Sequence, residues 1–133
     1  AAVALALSAA SVIRHGDDPL SYFNELVDPK QTYKIAADSN LEWGQSRARV
    51  EAYLAAHPNV LRAPAKPFPG RILVSANQLT GVVTRKRMEW LRDSGIEPVG
   101  HVAFTHFLFD ISPSVAERLR RERGDPPLPP PEP

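Results

Sequence analysis

The chain has no cysteine. That excludes a disulfide framework, a thiolate zinc site, an iron–sulfur cluster and a cysteine nucleophile. An imbalance of charge is also missing: 16 Lys and Arg face 15 Asp and Glu across 133 residues, for a formal net charge of +1. The overall basic footprint of a nucleic-acid binder is therefore absent, and no nucleic-acid partner is expected. The four histidines, His15, His57, His101 and His106, fall in no HExxH or comparable spacing, so no metal site is expected. No Walker A loop, GxGxxG fingerprint or GxSxG elbow occurs, and no cofactor is expected. The uncharged opening AAVALALSAASVI runs for only thirteen residues, where a membrane-spanning helix needs about twenty. A signal peptide would need a basic region ahead of its apolar stretch. Three readings of the opening stand: the end of a transmembrane helix, which is preferred, a signal peptide without its start, or an Ala-rich helix of a soluble fold.

Between the two ends lies an ordinary globular pattern. The sequence divides into an apolar lead (1–13, the end of a transmembrane helix), a linker with a short amphipathic helix stopped by Pro29 (14–31), a soluble domain (32–123) and a tail (124–133). Six of the 14 prolines fall in residues 126–133, so that tail is expected to be extended and polyproline-like. Within the domain, TYKIAA (32–37), RILVSA (71–76) and VGHVAFTHFLFDI (99–111) read as strands. Each is followed by a helical pattern, at about 41–56, 85–94 and 114–123. Ser39 with Glu42, and Ser114 with Glu117, fit capping boxes; Thr84 fits an N-cap, with Val83 and Met88 as a hydrophobic staple, and Gly95 and Gly124 fit helix stops. The proline-rich stretch 58–70 cannot be an internal strand. Repeated strand-then-helix order predicts an α/β fold with a small, mainly parallel sheet and flanking helices. Trp43 and Trp90 lie on apolar helix faces and are expected to be buried.

Chemistry is best sought where strands hand over to helices, since ligands of open α/β sheets bind at the carboxyl ends of strands. Two segments qualify. Asp38, Asn40, Glu42 and Gln45 occupy the first turn, and Asn77 the second, in the run SANQLTG. Together they form a candidate ligand site; amides that both donate and accept suit hydroxyl groups, and the carboxylates of Asp38 and Glu42 oppose an anion. The plain reading is that these residues only brace turns and cap helices. His101 and His106, five apart, would point to opposite faces of one strand. The basic stretch Arg118, Arg120, Arg121 and Arg123 reads as a solvated helix face, or as a contact to lipid headgroups.

The order of these motifs resembles a known group. Tyr22 to Leu26 (YFNEL) and Asp38 to Gln45 (DSNLEWGQ), followed by Leu79, Gly81, Val82, Trp90 to Arg92 and Pro98 to Asp110, resemble the extracytoplasmic C-terminal region of bacterial multi-spanning membrane glycosyltransferases similar to protein O-mannosyltransferases. Glu42 stands where that family usually has Asp, His106 where Ser is more typical, and 58–70 replaces a longer segment. The resemblance implies an accessory domain of an enzyme that moves a sugar from a lipid-phosphate carrier to an acceptor. It places the catalytic carboxylate in an early extracytoplasmic loop, outside this chain, so the chain alone is expected to be inactive. It further implies attachment to the cell membrane with the soluble part extracytoplasmic, and partners in the membrane, the enzyme's own membrane domain, a lipid-linked sugar and an acceptor. Two rivals remain: a non-catalytic cell-envelope domain, and a small-ligand α/β enzyme using Asp38 and Glu42.

Overall fold

A computed structural model describes residues 28–35, 44–83 and 86–129. The lead 1–13, the linker helix at 21–28 except for Asp28, the Ser39–Glu42 capping box, Trp43 and the Thr84 cap lie outside those residues; Asp28 itself is not helical and caps the next turn. No helix among the described residues is long and apolar enough to cross a membrane.

The fold is α/β: a four-stranded mixed sheet flanked by helices. Its elements are α1 (Thr32–Ile35), α2 (Arg47–Ala56), β1 (Leu61–Arg62), β2 (Gly70–Ser75), α3 (Ala76–Thr80), α4 (Glu89–Arg92), β3 (Gly100–Val102), β4 (His106–Ile111) and α5 (Pro113–Arg123). The strands lie in the order β1-β2-β4-β3. Only β1 and β2 run parallel; β2–β4 and β4–β3 are antiparallel. The expectation of a mainly parallel sheet is thus corrected.

Two local readings produce that correction. Residues 32–35 of the expected first strand form α1 instead. A short 3-10 helix, Pro29–Gln31, leads into it, with the Asp28 carboxylate accepting from the Lys30 amide at 2.9 Å. Tyr33 packs on Phe107 at 5.0 Å between ring centres, and Lys34 and Gln31 both bond the Glu97 carboxylate. Tertiary contacts of this kind override the β propensity of Thr, Tyr and Ile. The long run 99–111, in turn, folds back on itself as the β3–β4 hairpin. Its turn holds Ala103 (φ +52°) and Phe104 (φ +56°) in left-handed conformations. Such turns normally carry Gly, Asn or Asp, and none stands here, so the sequence offers no sign of the reversal. Stacking of the His101 ring on Phe104 at 4.5 Å offsets part of the strain.

Alternation along the strands divides the interior into two cores. Ile72 and Val74 of β2 join Phe107, Phe109 and Ile111 of β4 on one face, covered by Leu79, Met88, Trp90, Leu91, Ala116 and Leu119. Leu73, Val102 and Leu108 point the other way, onto Val50 of α2, with Tyr53 and Leu54 alongside. His101 and His106 face opposite sides, as expected, but from two strands rather than one: His101 pairs with Phe107, and Val102 with His106.

Segment 58–70 supplies only the two-residue edge strand β1. Three carbonyls of this loop are satisfied by side chains instead of a strand ladder. Arg87 donates to the Ala63 carbonyl at 3.2 Å, the Trp90 indole N–H to Pro64 at 3.2 Å, and Arg120 to Pro67 at 2.9 Å. The same Arg120 guanidinium donates to Pro126 at 2.6 Å and to Pro127 at 3.5 Å. Arg120 is 8% exposed. The reading of a solvated basic face therefore fails at Arg120, whose planar fork ties the tail to the loop, while Arg118, Arg121 and Arg123 are exposed. Leu128 of the tail packs against the larger core. Arg120→Lys, which keeps the charge and loses the fork, should lower stability by roughly 1–2 kcal/mol in denaturant titration. An unchanged midpoint would show that the three carbonyls do not need it.

The expected helices are shorter than the pattern suggests: that at 41–56 begins at Arg47 within the described residues, and that at about 85–94 is reduced to Glu89–Arg92. α5 is capped two residues earlier than expected: Ser112, not Ser114, accepts from the Val115 amide at 3.3 Å, and Pro113 takes the first turn, where a missing N–H costs nothing. Gly95 and Gly124 adopt the left-handed conformation their positions suggested. Val83 stays 49% exposed while Met88 is fully buried.

Candidate functional site

The carboxyl end of β2 carries the site. Ser75, its last residue, caps α3: its Oγ accepts from the Gln78 backbone amide at 3.3 Å, and the Gln78 side-chain Oε1 accepts from the Ser75 amide at 3.4 Å. This Ser-Ala-Asn-Gln capping box is legible in the sequence, and it makes a helix where only a polar turn is expected. It starts α3 immediately after the strand and fixes Asn77 in its first turn. Gly81 then closes the helix at φ +79°.

Beside it lies a cavity of about 250 Å³ lined by Gly44, Arg62, Ser75, Asn77, Gln78, Val83 and His106. Five segments contribute: the turn before α2, the edge strand β1, the β2–α3 junction, the stretch after α3 and the start of β4. Two of the segments chosen from the sequence, 38–45 and 77–81, thus meet here through Gly44 and Asn77. Gln45 is half-buried in the turn next to Gly44. Asp38, Asn40 and Glu42 lie outside the described residues. Arg62 and His106 are the members that sequence reasoning missed. His106 carried a signal, as a polar residue inside an apolar run, but only the hairpin brings it opposite Ser75.

Charge in the cavity is balanced. Arg62 donates to the Glu51 carboxylate at 2.7 Å. His106 is 4% exposed, and burial, helped by the Arg62 charge, lowers its pKa to about 4. Near neutral pH its imidazole is uncharged. Behind it runs a buried chain: Thr105 donates to the Ser46 hydroxyl at 2.8 Å, and the His106 Nδ1 lies 3.0 Å from the Thr105 oxygen. Asn77 Oδ1 is buried and has no hydrogen-bond partner among the described residues.

A larger, more open groove of about 740 Å³ passes His57, Val60, Arg71 and Asp110. Its charges satisfy one another: Arg71 donates twice to Asp110, both at 2.7 Å. That pairing holds the Asp110 carboxyl below its ordinary range and raises the Arg71 guanidinium. Comparison with known protein families, with curated proteins and with solved structures finds no match.

Proposed function

We propose that this chain is the C-terminal accessory domain of a membrane glycosyltransferase, with the chemistry of sugar transfer carried elsewhere in the enzyme. The sequence resemblance supplies the reading. One observation sits with it: His106, the histidine of the described cavity wall, is kept uncharged near neutral pH by burial and is a weak base toward a hydroxyl. The domain's role is then to sit on the outer side of the membrane and shape the acceptor side of the enzyme.

The test is to sequence the gene upstream of the codon for Ala1 and to assay the protein it encodes. Several membrane helices of about twenty apolar residues each, with an acidic residue in the first outward loop, are expected. Sugar transfer from a lipid-phosphate carrier should require that upstream part and be absent from the 133-residue chain alone. A start codon at this point in the frame, or turnover by the chain alone, would overturn the proposal.

A further inference from the structure

Residues 126–128 of the tail sit on the domain as a short peptide sits on a receptor. They belong to no helix or strand, and among the described residues no backbone–backbone hydrogen bond holds them. The Arg120 guanidinium donates from Nε to the Pro126 carbonyl at 2.6 Å and from Nη2 to the Pro127 carbonyl at 3.5 Å. Leu128 then packs against the larger core. Both prolines are exposed, so the seat reads their carbonyls rather than their rings. Proline suits such a seat, because it offers a carbonyl without an N–H that would need an acceptor of its own.

The seat is built without its occupant. Arg120 is 8% exposed and holds the Pro67 carbonyl through Nη1 at 2.9 Å. The loop side is fixed by Arg87 on the Ala63 carbonyl and Trp90 on that of Pro64, bonds that do not involve the tail. If residues 126–128 leave, a buried cation is left with two N–H groups aimed at absent carbonyls, beside an apolar slot. Their departure is local. The α5 closure stays, through the Asp125 amide on the Arg120 carbonyl at 2.9 Å, and chain ends held by few bonds open at lower free energy than the core. Asp125, bridged to Lys66 at 3.1 Å and to Arg123 at 3.6 Å, keeps the root of the tail beside the seat. Its effective concentration there is high, so the tail is a built-in competitor of any second occupant.

We propose that the seat between α5 and the 63–70 loop is a binding site for a Pro-Pro-Leu peptide segment of another chain, occupied in the free domain by this chain's own residues 126–128. The site does not depend on the glycosyltransferase reading, and either can fail without the other.

The experiment measures the fluorescence anisotropy of a labelled peptide PPLPPPEP, the sequence of residues 126–133, against the full chain and against its Leu128→Ser variant. The substitution removes the apolar anchor of the tail and leaves the seat intact. Saturable binding to the variant, about tenfold tighter than to the wild type, is expected. Serine for leucine in the peptide should weaken binding by a similar factor. The NMR signal of the Arg120 Nε–H should shift in the variant and return to its wild-type position as the peptide saturates. If Leu128→Ser does not fold, the peptide should restore its cooperative melt. No saturable binding to the folded variant, equal binding to both chains, an Arg120 signal that does not return, or a melt that the peptide does not restore would overturn the proposal.

Discussion

Replacing Trp90 by alanine should cost the domain about 3–5 kcal/mol, measured as a shift in the urea midpoint at constant slope. The ring is 2% exposed within the larger core, among Met88, Leu91 and the β4 phenylalanines. Its removal leaves a void that a close-packed interior cannot refill. It also strips the Pro64 carbonyl of its donor, in a loop with few backbone bonds of its own. Against a total stability of about 5–15 kcal/mol for a small domain, such a loss unfolds a large share of the molecules. Trp90→Phe separates the two contributions: it keeps most of the volume and loses the indole N–H, so about 1–2 kcal/mol is expected. A loss under about 1 kcal/mol for Trp90→Ala would show that the ring is not a packing residue.

Acid should destabilise the domain through His106. In the folded chain its pKa is lowered to about 4, below the ordinary value of 6.5, because the charged ring would lose its hydration and meet the Arg62 charge. Glu51 acts in the opposite, weaker sense. Between those two values the unfolded chain binds the proton and the folded chain does not. Stability is therefore fully present above about pH 6.5 and declines as the pH falls toward 4, by about 3 kcal/mol in all. Urea titrations of the wild type and of His106→Asn across that range should differ by this amount in their slope with pH. The asparagine amide can replace the bond to Thr105 and does not titrate. Parallel curves would mean that His106 protonates freely in the folded state. Glu97 and Asp110, whose exposed carboxyls are held low by Lys34 with Gln31 and by Arg71, act only at lower pH.

Much of the site's location was legible because it follows from chain order. A strand ending in a polar turn before a helix presents that turn at the sheet's end, and Asn77 was chosen on that ground. Ser75 and Gln78 stood in the same segment, and their spacing alone writes the capping box. The wall across from them was not legible. Arg62 sits in a proline-rich loop, and its place beside β2 depends on a two-residue edge pairing, Leu61 to Ile72 and Arg62 to Leu73. His106 reached the cavity only through a turn built on Ala103 and Phe104, residue types that do not announce a turn.

By itself the sequence determined the α/β class, the burial of Trp90, the stops at Gly95 and Gly124, and the strand at 71–76, because each is signalled by neighbours a few positions apart. The tertiary structure decided the rest. Sheet direction, the helical form of residues 32–35 and the burial of Arg120 depend on partners such as His106 for Ser75, Phe107 for Tyr33 and Pro67 for Arg120, 31 to 74 residues away, and the reversal at residues 103–105 is set by the strands it joins. Short segments of weak propensity take whichever conformation those distant contacts stabilise, and a local pattern carries no record of them.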